Sequence, residues 1–218
     1  MCSERLQSTA NPLKKVDRGS PTLIVSRHRP ETAEDSEIAS LLAAKFNIRV
    51  LDIPLLYDFY ADSAVIQRLR SLTGPVYFLV PLSQRSVKNI LSRLQISYTE
   101  IFETMSAVQI PDGGIRGGQV DRLDEAPKPR WYPVIDDSKC TACLECINYC
   151  LFGVYAIGSD SRPFVDQPDA CRDGCPACSR VCPGKAIMFP LYEDRAIAGY
   201  APDVRDDLND LIDLVDQI

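Results

Sequence analysis

The residues best suited to chemistry in this chain are its cysteines, since eight of the nine lie between positions 140 and 182 of 218. They form two runs of four. The first run begins at Cys140 and has the spacing C-x2-C-x2-C-x3-C, which is typical of iron–sulfur ligation. The second run begins at Cys171, has one residue more after its first cysteine, and is followed by Pro183. The sequence therefore predicts eight metal-binding residues: Cys140, Cys143, Cys146, Cys150, Cys171, Cys175, Cys178 and Cys182.

Zinc binding and disulfide bonding are the alternatives for these cysteines. Structural zinc usually joins two short C-x2-4-C pairs across a longer gap, whereas two runs of four favour clusters. Disulfides persist mainly in oxidising compartments. Residues 1–20 contain no signal-peptide-like apolar block, and no apolar run approaches the roughly 18 residues of a membrane span. We therefore expect a cytoplasmic protein without a membrane span, in which clusters are favoured over disulfides.

Residues 131–192 resemble the two-cluster bacterial ferredoxin family, on the cysteine runs and on an internal duplication. Each run follows a short apolar segment that ends in Asp, Val134-Ile-Asp136 or Phe164-Val-Asp166, and precedes an Ala-Ile pair. Two features depart from the family pattern. Leu151 stands where a proline usually follows the fourth cysteine, and the second run is one residue longer.

This resemblance implies an α+β ferredoxin-like domain with two [4Fe–4S] clusters. It also implies that the fourth cysteine of each run crosses to the cluster of the other run, which ties the two halves together. One cluster would be held by Cys140, Cys143, Cys146 and Cys182. The other would be held by Cys171, Cys175, Cys178 and Cys150.

Residues 21–110 are predicted to form an α/β domain, with a parallel sheet and flanking helices. Apolar runs predict strands over 22–26, 48–56 and 76–80, and helical spacing predicts helices over 35–46, 63–72 and 83–94. Parallel neighbours need a long crossover connection, and a helix of this length supplies it. Residues 107–110 could add a fourth strand.

The remaining segments are predicted to be less regular. Residues 1–20 are expected to be a disordered leader in which Cys2 is an incidental thiol, because they are polar and without periodicity. Residues 111–130, rich in Gly, Asp, Arg and Pro, are predicted to be a linker or a long crossing loop. Residues 193–218 are predicted to form an acidic amphipathic helix, whose apolar stripe would pack on this chain or on another subunit.

The charge distribution limits the kinds of partner. The net charge of the chain is −6, and residues 193–218 alone carry −6, while residues 1–130 carry +2 and residues 131–192 carry −2. Nucleic-acid binding requires a basic face to neutralise phosphates, so no nucleic-acid partner is expected. An acidic surface instead suits docking to a basic protein partner.

His28 is the other candidate ligand residue, and it is the single histidine of the chain. It follows the first predicted strand, where open α/β sheets commonly bind ligands. Residues 22–110 faintly resemble a half-domain of the sirohydrochlorin chelatase family, through this strand-then-His entry and through Val80-Pro81-Leu82 before a helix. In that family histidines hold the inserted metal, so the resemblance implies a ligand site at His28.

These observations predict an electron-transfer protein with two [4Fe–4S] clusters that relays single electrons to or from an oxidoreductase. We expect a carrier or an electron-transfer subunit rather than an enzyme, because no nucleophile pair or acid/base pair stands out. The alternative is an iron–sulfur subunit or enzyme whose N-terminal domain binds a tetrapyrrole or another small ligand. The predicted C-terminal helix would allow assembly into a complex or a homo-oligomer.

Overall fold

The computed structural model describes residues 19–31, 33–123, 125 and 127–201. Cys2, the predicted leader up to residue 18 and residues 202–218 of the predicted C-terminal helix lie outside these ranges. The predictions for those segments therefore stay predictions.

Five parallel strands form the main sheet, which confirms the predicted α/β fold. They are β1 (Thr22–Ser26), β2 (Arg49–Ile53), β3 (Val76–Leu79), β4 (Glu100–Phe102) and β5 (Gln119–Arg122). Their order in the sheet is β4-β3-β1-β2-β5, so β1 lies at the centre with β2 and β3 beside it. Thr22 of β1 is in register with Arg49 and with Val76. The three central strands are almost entirely buried, as expected for a parallel sheet that is covered on both faces.

Three helices connect these strands close to the predicted positions. They are α1 (Ala33–Phe46), α2 (Ala64–Arg70) and α3 (Gln84–Arg93). The hydroxyls of Ser63 and Ser83 cap α2 and α3, and each accepts a hydrogen bond from an amide in the first turn. Asn47 follows α1 with a φ of 50°, a left-handed conformation that Asn tolerates better than most residues and that often ends a helix.

Two predicted strands differ from the structure. The strand predicted over 48–56 ends at Ile53, because Pro54 has no N–H to continue the ladder, and Leu56–Asp58 forms a 3-10 helix. The fourth strand lies at Glu100–Phe102, so its predicted position at 107–110 is wrong. Val108 and Ile110, whose apolar side chains suggested that strand, pack outside the sheet against the core on the α1 side. A second 3-10 helix spans Met105–Ala107.

The segment predicted as a linker contains the edge strand β5. Three of its four side chains are exposed, so its sequence lacks the alternation of a half-buried strand. Gly118 immediately precedes β5 with a φ of 69°, and a Cβ there would lie 2.2 Å from the carbonyl oxygen of Ala43. The backbone of β5 therefore approaches α1 at a point where only glycine fits.

The sheet has an apolar core on each face. Leu23 and Val25 of β1 face α1, whereas Ile24 faces α2 and α3. The core on the α2 and α3 side continues into residues after the linker segment, namely Tyr132, Val134 and Met188.

The remaining described residues, 131–201, form the cysteine-rich region, which consists of short elements. Its antiparallel pairs are β6 (Val134–Ile135) with β9 (Ile187–Met188), and β7 (Tyr155–Ile157) with β8 (Pro163–Val165). Its helices are α4 (Glu145–Tyr149), α5 (Ala177–Val181) and α6 (Arg195–Ala198), and a 3-10 helix spans Pro168–Ala170. The region thus has the α+β composition that was predicted. No helix in the described part of the chain is long and apolar enough to cross a membrane.

Candidate metal centres

Four cysteines from both runs line a narrow cavity of about 10 Å³, which we call cysteine site 1. Three of them lie in the loop after β6 and on α4, and the fourth follows α5. Ile135 of β6 and Ile187 of β9 form part of the wall. The cysteines of site 1 are Cys140, Cys143, Cys146 and Cys182.

The other four cysteines line a larger cavity of about 440 Å³, which we call cysteine site 2. One follows α4, and three lie before and on α5. Tyr149, Leu151 and Phe152 also line this cavity, and all three are exposed at its mouth. The cysteines of site 2 are Cys150, Cys171, Cys175 and Cys178. The structure thus brings together the same two sets of four that the ferredoxin resemblance implied, while their role as ligands stays a prediction.

The loop of the first run is tightly wound. Ala142 and Leu144 lie between its cysteines with φ values of 55° and 61°, in the left-handed region that residues other than glycine rarely adopt. In the second run the corresponding turn is taken by Gly174, with a φ of 71°. Backbone strain of this kind is often concentrated at functional sites, where the surrounding structure imposes it.

Three thiols, those of Cys146, Cys171 and Cys178, have raised pKa values. Burial is the main cause that raises the pKa of Cys146 to about 11, and the neighbouring thiols of Cys140, Cys182 and Cys143 add to it. At site 2 burial raises the pKa of Cys171 and of Cys178 to about 12, again with help from the other cysteines of the site. Because thiolates are the metal-binding form, these sites need a positively charged metal group to release their protons.

The cysteines surround space rather than converge on one point. In residues 19–31, 33–123, 125 and 127–201, no three His, Cys, Asp or Glu side chains form a group that could hold one metal ion. A structural zinc ion needs four ligand atoms within about 2.3 Å of one centre. Site 2 has room for a larger group as it stands. The narrower site 1 would have to widen to hold such a group, and Cys143 at this site is exposed.

Hydrogen bonds to sulfur differ between the two sites. At site 2 the hydroxyl of Tyr155 donates to Sγ of Cys178 over 3.0 Å, in a buried position. At site 1 the amide N–H of Ala186 donates to Sγ of Cys182 over 3.3 Å. No motif in the sequence indicated this hydrogen bond from Tyr155. Aligning the two cysteine runs could have found it, because Tyr155 lies five residues after Cys150.

The cysteine-rich region packs on the end of the main sheet where β2 and β3 finish. The rings of Tyr57 and Tyr132 stack with centroids 4.3 Å apart, and the Tyr57 hydroxyl both accepts from the Tyr132 amide and donates to the Tyr132 carbonyl. Arg85 of α3 donates to the carboxylate of Asp136 over 2.7 Å and to the carbonyl of Lys185 over 2.6 Å. The usual ligand-binding edge of an open α/β sheet is therefore partly covered by the cysteine-rich region.

His28 lies apart from both cysteine sites. It follows β1 with an exposed side chain, and its Nδ1 lies 2.7 Å from the buried carboxylate of Asp35. It lines a separate cavity of about 270 Å³ beside Arg29 and Asp58, and none of the described cysteines lines that cavity. The structure therefore does not bring His28 together with the predicted cluster ligands.

Known proteins with similar sequences include a ferredoxin and an oxidoreductase subunit, although no protein-family model matches the chain. The chain is 41% identical over 61 residues to a ferredoxin of Methanocaldococcus jannaschii, a match that covers 28% of this chain and 41% of that protein. It is 31% identical over 104 residues to the indolepyruvate oxidoreductase subunit IorA of Methanothermobacter marburgensis. That match covers 48% of this chain and 14% of the subunit. The matches thus span less than half the length of either relative.

Part of this chain is therefore similar to part of a ferredoxin and to part of an oxidoreductase subunit. The predicted resemblance of residues 22–110 to a sirohydrochlorin chelatase half-domain finds no support in them. His28 is also the single histidine of the chain, so no second histidine is available to hold a metal beside it.

Proposed function

We propose that this protein holds two [4Fe–4S] clusters and relays single electrons to or from an oxidoreductase. The observation that carries the proposal is the pair of cavities, each lined by three cysteines of one run and the fourth cysteine of the other. A cubane cluster takes up or releases one electron through iron atoms that are held by Cys thiolates. The two sites share α4 and α5, so electrons would have only a short distance to cross between them.

The chain's own residues would hold and shield these clusters. The thiolates of site 1 and site 2 would supply the ligands, and the loops between the cysteines would fix their directions. Trp131 and Phe189 stack with ring centroids 5.3 Å apart beside site 2, where the indole N–H of Trp131 donates to the carbonyl of Cys175. Aromatic packing of this kind excludes water, and exposure to water is one of the factors that set a cluster's reduction potential.

The relatives support an oxidoreductase as the partner. One relative carries the name ferredoxin, and the other is a subunit of an oxidoreductase. The chain would act either as a free carrier or as a subunit. A reducing compartment such as the cytoplasm would suit it, because cysteine thiols stay reduced there. The main sheet would serve as the support on which the cysteine-rich region docks, since Arg85, Tyr57 and their partners join the two.

The crossed ligand assignment can be tested with single Cys→Ser variants that are purified without oxygen. Cys150→Ser and Cys178→Ser come from different runs but should damage the same cluster, and Cys182→Ser should damage the cluster that Cys146→Ser damages. Electron paramagnetic resonance (EPR) of the reduced protein distinguishes the two clusters, and Cys2→Ser is the control that should change neither. If Cys150→Ser instead matched Cys146→Ser, each run would hold its own cluster and the crossed assignment would fail.

The electron-transfer role needs a separate test. Stepwise reduction of the purified protein should show uptake of one electron per cluster, and the reduced protein should pass these electrons to an oxidoreductase that co-purifies with it. Size-exclusion chromatography of the same preparation distinguishes a free carrier from a subunit. A protein that holds both clusters but neither accepts nor donates electrons would overturn the proposed function.

A further inference from the structure

The buried hydroxyl of Tyr155 has a sulfur atom as its hydrogen-bond acceptor. The residue is 8% exposed, and its hydroxyl lies 3.0 Å from Sγ of Cys178 on α5. No second acceptor for this hydroxyl is found among the described residues. Buried tyrosine hydroxyls usually find a partner, and here the partner is a cysteine of site 2.

The equivalent position at site 1 has no hydroxyl. Tyr155 lies five residues after Cys150, and Ile187 lies five residues after Cys182, so the two occupy the same place in the two halves. Ile187 is buried and lines site 1 together with Cys146. The duplicated halves therefore place a hydrogen-bond donor beside one cysteine site and an aliphatic side chain beside the other.

We propose that Tyr155 tunes site 2, raising the reduction potential of the cluster bound there by donating a hydrogen bond to the Cys178 thiolate. This inference rests on the proposed function, because it requires a cluster at site 2. Tyr155 is a positioning residue: it touches a ligand sulfur and holds no iron itself. Its hydroxyl gives site 2 a side-chain donor to sulfur, whereas the donor described at site 1 is the backbone amide of Ala186.

The direction of the effect follows from charge. A reduced cluster carries one more negative charge than an oxidised one, and part of that charge lies on the ligand sulfurs. A donor aimed at the sulfur stabilises the more negative state, and hydrogen bonds to sulfur are among the factors that set cluster potentials. A tyrosine hydroxyl has an ordinary pKa of about 10 and keeps its proton at neutral pH, so it is available as a donor.

The test compares Tyr155→Phe with Tyr149→Phe in the full-length protein with both clusters bound. Tyr149 lines the same cavity, is exposed, and makes no hydrogen bond to sulfur among the described residues, so its variant removes a hydroxyl without removing this hydrogen bond. An EPR-monitored redox titration would follow both clusters. In Tyr155→Phe we expect the reduced-to-oxidised ratio of one cluster at a fixed solution potential to fall about tenfold, equivalent to about 59 mV for one electron. The other cluster should stay unchanged.

A second measurement keeps the test independent of whether Tyr155→Phe loads its clusters. Pulsed EPR of the wild-type protein exchanged into D2O should detect one more strongly coupled deuteron at one reduced cluster than at the other, where the amide of Ala186 supplies a deuteron as well. An unchanged potential in a loaded Tyr155→Phe protein, or equal deuteron couplings at both clusters, would overturn the inference. Neither result would touch the proposed function, which fails only if the wild-type protein binds no clusters or transfers no electrons.

Discussion

The sheet region (residues 19–123) and the cysteine-rich region (residues 131–201) are built on different physical principles. In the sheet region long apolar side chains such as Ile24, Leu51 and Phe78 are fully buried between strands and helices. In the cysteine-rich region the strands have two or three residues and the helices four or five. Its own core is small and contains Cys146 and Cys178 themselves.

The difference shows where each region obtains its stability. Burial of apolar surface stabilises the sheet region, because each large buried side chain contributes roughly 1.5–3 kcal/mol. The cysteine-rich region buries too little to be stable in the same way, since small domains usually depend on metals or disulfides. We therefore expect it to depend on the proposed clusters and on its attachment to the sheet region through the core that includes Tyr132, Val134 and Met188.

Removal of the proposed clusters should produce the largest difference in amide protection between the two regions. We expect that stripping iron with a chelator after oxidation abolishes the amide protection of the cysteine-rich region and leaves the central strands protected, because metal binding there is coupled to folding. Hydrogen exchange followed by mass spectrometry measures both regions in one experiment. Equal loss of protection in β1 and β3 would show that the two regions do not differ in this way.

Truncation of a core side chain should instead destabilise the sheet region. Phe78→Ala removes a fully buried ring from β3 and should lower the free energy of unfolding by about 3–5 kcal/mol. Phe164→Ala is the matched control, because this ring is 43% exposed on β8 and its loss should change stability by about 0.5 kcal/mol or less. Urea unfolding monitored by far-ultraviolet circular dichroism provides the values. Similar losses for both variants would contradict the assignment of the main core to the sheet.

The contact between Tyr57 and Tyr132, which we call the junction of the two regions, should weaken when a single oxygen atom is removed. Tyr57→Phe leaves the buried amide and carbonyl of Tyr132 without their partner, at an expected cost of about 1–3 kcal/mol. Tyr77→Phe is the control, because Tyr77 is buried in the sheet region and its hydroxyl has no hydrogen-bond partner among the described residues. Hydrogen exchange of residues 131–135 should increase in Tyr57→Phe alone. If residues 131–135 kept their protection from hydrogen exchange in Tyr57→Phe, stacking of the two rings alone would hold the junction.

The smallest effect is expected at the edge strand β5. Hydrogen bonds from Arg49 are the main cause that lowers the pKa of Asp121, so the carboxylate is ionised at neutral pH and also pairs with Arg68. Asp121→Asn should cost up to about 1 kcal/mol, as expected for a partly exposed ion pair. The exchange of β5 amides should increase while the amides of β1 stay protected. An equal increase in both strands would mean that β5 is not a separate edge element.

The sequence predicted the sheet region where periodicity was strong and failed where it was weak. The central strands and the three helices were found because long apolar patterns specify them. β4 has three residues and begins with Glu100, and β5 exposes most of its side chains, so neither has a pattern to detect. The pairing of β5 with β2 depends on tertiary contacts such as the approach of Gly118 to α1.

The cysteine sites were predictable in composition but not in environment. The spacing of the runs, together with the ferredoxin resemblance, implied the two sets of four that line sites 1 and 2. The hydrogen bond from Tyr155 to Cys178 and the stacking of Tyr57 on Tyr132 join residues that are 23 and 75 positions apart. Such contacts are set by how the short elements pack, which spacing along the chain does not encode.

We propose that each cysteine site holds one [4Fe–4S] cluster. Iron and acid-labile sulfide analysis of protein purified without oxygen tests it most directly, with Mössbauer spectroscopy to identify the cluster type. Two such clusters would give about eight iron and eight sulfide per chain, with broad absorbance near ~400 nm. Protein that contains zinc without acid-labile sulfide would contradict it.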